Sequence, residues 1–165
     1  MIQQKTFPFF RSLVVSMVVV GLSSIAILHA QDKESVDKGS IVVPVTNLQN
    51  LGKGQLLGFL YKKVNRVEVN GVRYFRRVSL PVKASKMDVT FKDIPYGEYA
   101  IAIMHDMDKD FKMDTNFIGI PDEDLGVSNN VKGGPLGGPK WKSAKFTHNK
   151  AENRITSIKM WQCYD

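Results

Sequence analysis

Asp106, Asp108 and Asp110 alternate in the stretch MHDMDKDFKMD, and Asp114 follows four residues later. Carboxylates this dense repel one another unless a cation or solvent neutralises them. A Ca2+ ion takes roughly six to eight oxygens at about 2.3–2.6 Å, and alternate positions of a bent loop can turn several carboxylates inward together. Numbered as an EF-hand loop, Asp106 falls at position 1, Asp108 at 3, Asp110 at 5 and Asp114 at 9, with the Lys112 carbonyl at 7. Position 6 is Phe111 instead of Gly and position 12 is Phe117 instead of Glu, so half the motif is present. Asp122, Glu123 and Asp124 lie in the same segment and offer a missing ligand. Two expectations stand side by side. Either Asp106, Asp108, Asp110 and Asp114 bind Ca2+ or a similar hard cation and order the segment, or they form a solvated turn whose charge Lys109 and Lys112 offset.

Other residue types point to less. His105 beside Asp106 suggests a general base with an orienting carboxylate, and hence a hydrolase. Neighbours on a strand face opposite sides, however, which keeps the two side chains apart. Ser128 lacks the G-x-S-x-G turn that exposes a nucleophilic serine. His29, His105 and His148 have no metal-site spacing, and the glycines of GVSNNVKGGPLGGPKW match no phosphate loop. Trp141, at the end of that stretch, is either a platform for ligand stacking or an anchor for the loop. Cys163 is the only cysteine, so no internal disulfide forms, and a small buried hydrophobe is its expected role. No catalytic residue, and no cofactor other than Ca2+, is expected.

The elements that must position these residues are strands. EYAIAIMH (98–105) alternates with Tyr99, Ile101 and Ile103 on one face and Ala100, Ala102 and Met104 on the other. Both faces are apolar, which predicts a central strand covered on both sides. MDVTFKDI (87–94) alternates as a half-buried strand. SIVVPVTNL (40–48) is β-rich, with Pro44 predicting an edge or bulged strand. QLLGFLYKK (55–63) is another, and Asn70-Gly71 marks a hairpin. In DIPYGEY, a Tyr two residues after a Gly suggests a tyrosine corner. Residues 106–142 read as one long irregular loop, closed by SAKFTH (143–148) and RITSIKMW (154–161). About seven strands without a helical period predict an all-β antiparallel sandwich.

The 165 residues, 43% hydrophobic, suffice for one domain plus a targeting segment. Lys5 and Arg11 precede the uncharged run LVVSMVVVGLSSIAIL, and HA is followed by polar QDKES. This is the pattern of a signal peptide over residues 1–30, cut after Ala30 or, alternatively, after Ala26. Left uncut, the segment would be the chain's one membrane anchor. Residues 31–39 then read as a flexible lead and 40–165 as the domain. Removing Lys5 and Arg11 from 23 basic residues leaves 21 against 16 acidic, a net of +5. The basic residues are scattered and lack aromatic spacing, which argues against nucleic acid.

GQLLGFLY, FKDIPYGEYAIAIMHDMDKDFKMDTNFIGIPDEDLGVSNN and KWKSAKF resemble the bacterial family called domain of unknown function 2141, over roughly residues 40–161. The resemblance implies an exported β-sandwich, similar in shape to transthyretin-like or carboxypeptidase-regulatory-like domains, and implies no activity. One departure falls in the acidic loop: that family typically carries Asn and Gly where this chain has Asp108, Lys109, Asp110 and Phe111. Together these readings predict an exported, non-enzymatic binding or structural module, in the periplasm, at the cell surface or outside the cell. Its partner would be an envelope protein or surface ligand. A metal-free accessory domain and a hydrolase centred on His105 are the alternatives.

Overall fold

The computed structural model describes residues 37–63, 66–67, 73–117, 121–133 and 138–162. The expected signal segment, the hairpin expected at Asn70-Gly71 and Cys163 lie outside the described residues. Nine strands and two short helical turns are present among them: β1 (Lys38–Thr46), β2 (Gln55–Tyr61), β3 (Arg76–Leu80), β4 (Lys86–Pro95), β5 (Gly97–Asp106), β6 (Asp124–Val127), a 3-10 turn (Ser128–Asn130), α1 (Trp141–Ala144), β7 (Phe146–His148), β8 (Glu152–Arg154) and β9 (Ile158–Lys159). They form two sheets. One runs β4-β1-β8, with β9 also on β1; the other runs β3-β2-β5-β6, with β7 also on β5.

Alternation explains the core. Ile41, Val43 and Val45 of β1, Val89 and Phe91 of β4, Leu56 and Leu60 of β2, and Tyr99, Ile101 and Ile103 of β5 meet between the sheets. The opposite face of the second sheet carries Leu57, Phe59, Ala100, Ala102, Met104 and Leu125 under a cover that includes Trp141 and Trp161. Strand β5 is thus buried on both sides, as its composition predicts. The Tyr99 hydroxyl donates to the Pro95 carbonyl at 2.8 Å, the bond a tyrosine corner makes.

Four details differ from the sequence reading. First, the sandwich is not wholly antiparallel, because β8 and β9 pair with β1 in parallel. Second, β1 is not an edge strand despite Pro44, although its pairing with β4 does shift register between Gly39 and Ile41. Ser40 N, Val42 O and Thr46 O all bond toward the side where β8 and β9 lie. Pro44 shares that parity, so its missing N–H faces the gap between the two short strands, where no ladder bond is lost. Third, residues 154–161 are not one strand, and residues 143–144 belong to α1. Fourth, residues 106–142 are not one irregular loop. They contain β6, which pairs antiparallel with β5 from Ala102↔Val127 to His105↔Asp124. DLGV is too short to show a period, and its Gly126 is a packing requirement: a Cβ there would meet Ile158 Cγ2 at 2.6 Å and Met160 Sδ at 3.0 Å.

Candidate cation site at the strand exit

The β5–β6 register builds the site. With His105 opposite Asp124, the residue before β6, Glu123, arrives beside the end of β5 at Asp106. A bridge between Thr115 and Pro121, and the Asp122 N–H to the Asp114 carbonyl at 2.9 Å, fold the intervening chain back. Gly54 lets the preceding turn approach: it has φ +62, and a Cβ there would collide with the Asp106 carbonyl.

Asp106 is fully buried and organises the loop. Its Oδ1 accepts the Lys109 N–H at 2.8 Å, and its Oδ2 accepts the Phe111 N–H at 3.0 Å and the Gln55 side-chain amide at 2.7 Å. Gln55 is in turn held by the Ser79 hydroxyl at 2.8 Å. The loop winds tightly enough to force Lys109 to φ 68 and Phe111 to φ 65, the left-handed region that glycine and asparagine favour. Phe111 stacks its ring under the Arg77 guanidinium, 4.7 Å from the ring centre.

Candidate ligand atoms of Asp106, Asp108 and Glu123 lie within 4.8 Å of one another. Oxygens on opposite sides of a calcium-sized ion stand about 4.6–5.2 Å apart, so the trio fits one. Glu123 is the telling member. It is 2% exposed; its Oε1 accepts the Met107 N–H at 3.1 Å, and its Oε2 makes no hydrogen bond of good geometry among the described residues, although the Asp114 N–H lies near enough to favour the charged carboxylate. Burial pushes its carboxyl up to about 7, with the charges of Asp106 and Asp114 adding to the effect and the Met107 and Asp114 N–H groups opposing it.

The four aspartates singled out by spacing therefore divide. Asp106 and Asp108 join the trio. Asp110 turns to Lys112, accepting its N–H at 2.7 Å and pairing with its ammonium at 3.2 Å. These bonds hold its carboxyl below the ordinary range. Asp114 is exposed and outside the trio, although partial desolvation and the nearby charges of Asp108 and Asp110 raise its carboxyl. Glu123 was one of three acids available by sequence; only the strand register selects it.

The remaining residues sit elsewhere. His105 is fully buried with Nε2 3.0 Å from the Lys53 carbonyl, and it faces the inter-sheet side while Asp106 faces the other. Ser128 is fully buried; its Oγ accepts the Ile101 N–H and donates to the Ala144 carbonyl at 2.6 Å. Both are engaged by backbone groups away from water. Trp141 is half-buried and packs on the outer cluster as an anchor for α1.

No curated protein and no solved structure matches the chain. A family model does match, across residues 43–156, and it is described as an uncharacterized protein conserved in bacteria. The match spans both sheets and the acidic loop, and the chain belongs to that family, domain of unknown function 2141.

Proposed function

We propose that this chain is an exported, non-enzymatic β-sandwich module whose acidic loop holds a calcium-like divalent cation between Asp106, Asp108 and Glu123. The observation that carries the reading is the buried Glu123 carboxylate, whose Oε2 makes no well-formed hydrogen bond among the described residues, beside two further carboxylates. A buried carboxylate without a partner is costly, and a hard cation removes that cost. Asp106 Oδ1 accepts one N–H and keeps a second lone pair for an ion. Water would complete the coordination. The bound ion would fix the exit of β5 against the start of β6, so its role is structural or binding rather than catalytic. Export rests on the basic, apolar and small-residue pattern of residues 1–30. Thermal unfolding in EDTA and in millimolar Ca2+ tests the cation. A ligand at 100 times its Kd stabilises by about 2.7 kcal/mol, which is a shift of several degrees in a domain of this size. An unchanged Tm with both Ca2+ and Mg2+ would overturn the reading. It would favour instead the metal-free turn that Asp110 and Lys112 already form, in an accessory domain for an envelope partner.

A further inference from the structure

A separate concavity lies on the other side of β6. Where Glu123 turns toward the acidic loop, Asp124 lines a groove of about 890 Å3, within the roughly 300–1,000 Å3 of small-ligand sites. The groove runs between the β1–β2 turn and the segment carrying Ser157 to Gln162. Its walls are held rigidly. Asn47 donates to the Met160 carbonyl at 2.9 Å, and Asn130 both donates to the Ser157 carbonyl at 2.9 Å and accepts the Lys159 N–H at 2.7 Å.

The lining is unusual in its chemistry. Seven of its twelve described lining residues carry an amide or hydroxyl side chain, and only Met160 and Trp161 are apolar; Thr46, Asn47, Gln49 and Asn130 already bond within the fold and offer a ligand only their spare N–H groups and lone pairs. Amides and hydroxyls donate and accept at once, which suits a ligand made of vicinal hydroxyls and suits an apolar ligand poorly. Two ammonium groups also line it. Lys132 lies over the Trp161 ring at 5.6 Å, and neither Lys132 nor Lys159 forms an ion pair with a carboxylate among the described residues. Among the described lining residues Asp124 is the one carboxylate, which leaves these residues one positive charge in excess. A ligand carrying carboxylates among its hydroxyls satisfies both features.

We infer that this groove binds an acidic oligosaccharide, with Lys132 and Lys159 pairing its carboxylates and the amide walls its hydroxyls. The inference is independent of the cation. Calorimetric titration with tri-galacturonic acid tests it, with neutral maltotriose and sodium sulfate as comparisons. Tri-galacturonic acid is expected to bind at least about tenfold more tightly than either comparison, and the double variant Lys132→Met/Lys159→Met to lose about tenfold in affinity. Both lysines are exposed, so the variant keeps its fold, and an unchanged melting curve checks this. No heat with millimolar tri-galacturonic acid, equal affinity for maltotriose or sulfate, or undiminished binding by the double variant would overturn the inference.

Discussion

Replacing Glu123 by Gln isolates the electrostatics of the acidic loop. In the unfolded chain the carboxyl titrates near 4.5, and in the metal-free fold it is pushed up to about 7. The folded state therefore keeps a proton that the unfolded state gives up between those two values. Stability falls as pH rises through that window, and the full cost is felt above it. A difference of about 2.5 units at 1.36 kcal/mol each amounts to about 3 kcal/mol, an upper bound because the loop can open slightly to water. Urea unfolding in EDTA at pH 5 and pH 8, followed by tryptophan fluorescence, measures it. The parent protein should lose on the order of 2–3 kcal/mol more than Glu123→Gln between the two pH values. Saturating Ca2+ should abolish that loss in the parent, since the ion keeps the carboxylate charged, and should leave the variant little changed. Equal pH dependence in parent and variant would refute the reasoning, as would a parent that gains stability at pH 8 relative to the variant.

Three further substitutions test the frame around the site. Tyr99→Phe removes the 2.8 Å bond to Pro95 and should cost about 1 kcal/mol in urea unfolding. Ser128→Ala leaves the Ile101 N–H and the Ala144 carbonyl without their shared partner in a dry site, so about 1–3 kcal/mol should be lost. Lys109→Gly relieves the left-handed backbone at φ 68 and should raise stability by about 0.5–1 kcal/mol, visible as a higher Tm in EDTA.

The strands that build the sandwich were legible where a period was long enough to read. β5 announces its burial on both faces, and β4 its single buried face. The acidic loop was legible as a place, and Asp106 and Asp108 as two of its three clustered carboxylates. Asp110 and Asp114 fit an EF-hand spacing, but that spacing assumes a loop held between helices. Here the loop leaves a strand, and Lys112 draws Asp110 to itself. Glu123 depends on the pairing of β5 with β6, a contact between segments whose partnership no local pattern encodes. β6 itself was hidden because Gly126 and two flanking acids look like loop composition. The strand expected over 154–161 holds only Arg154 of β8 together with β9, because the bend between them has no Gly or Pro to mark it. The groove is tertiary in origin: its two lysines are 27 residues apart and carry no motif.

The parallel pairing of β8 and β9 with β1 has a kinetic consequence. Asn47 and Met160, which clamp this junction, are 113 residues apart in the chain. Strand β1 can pair with β4 early, but its other edge stays open until the last segment of the chain is available. Such long-range closure makes folding slow, because loop entropy is spent before the contacts form. A chain emerging from synthesis is therefore held unfinished until its C-terminal strands arrive, and a truncation before residue 150 would leave an exposed β edge of the kind that drives aggregation.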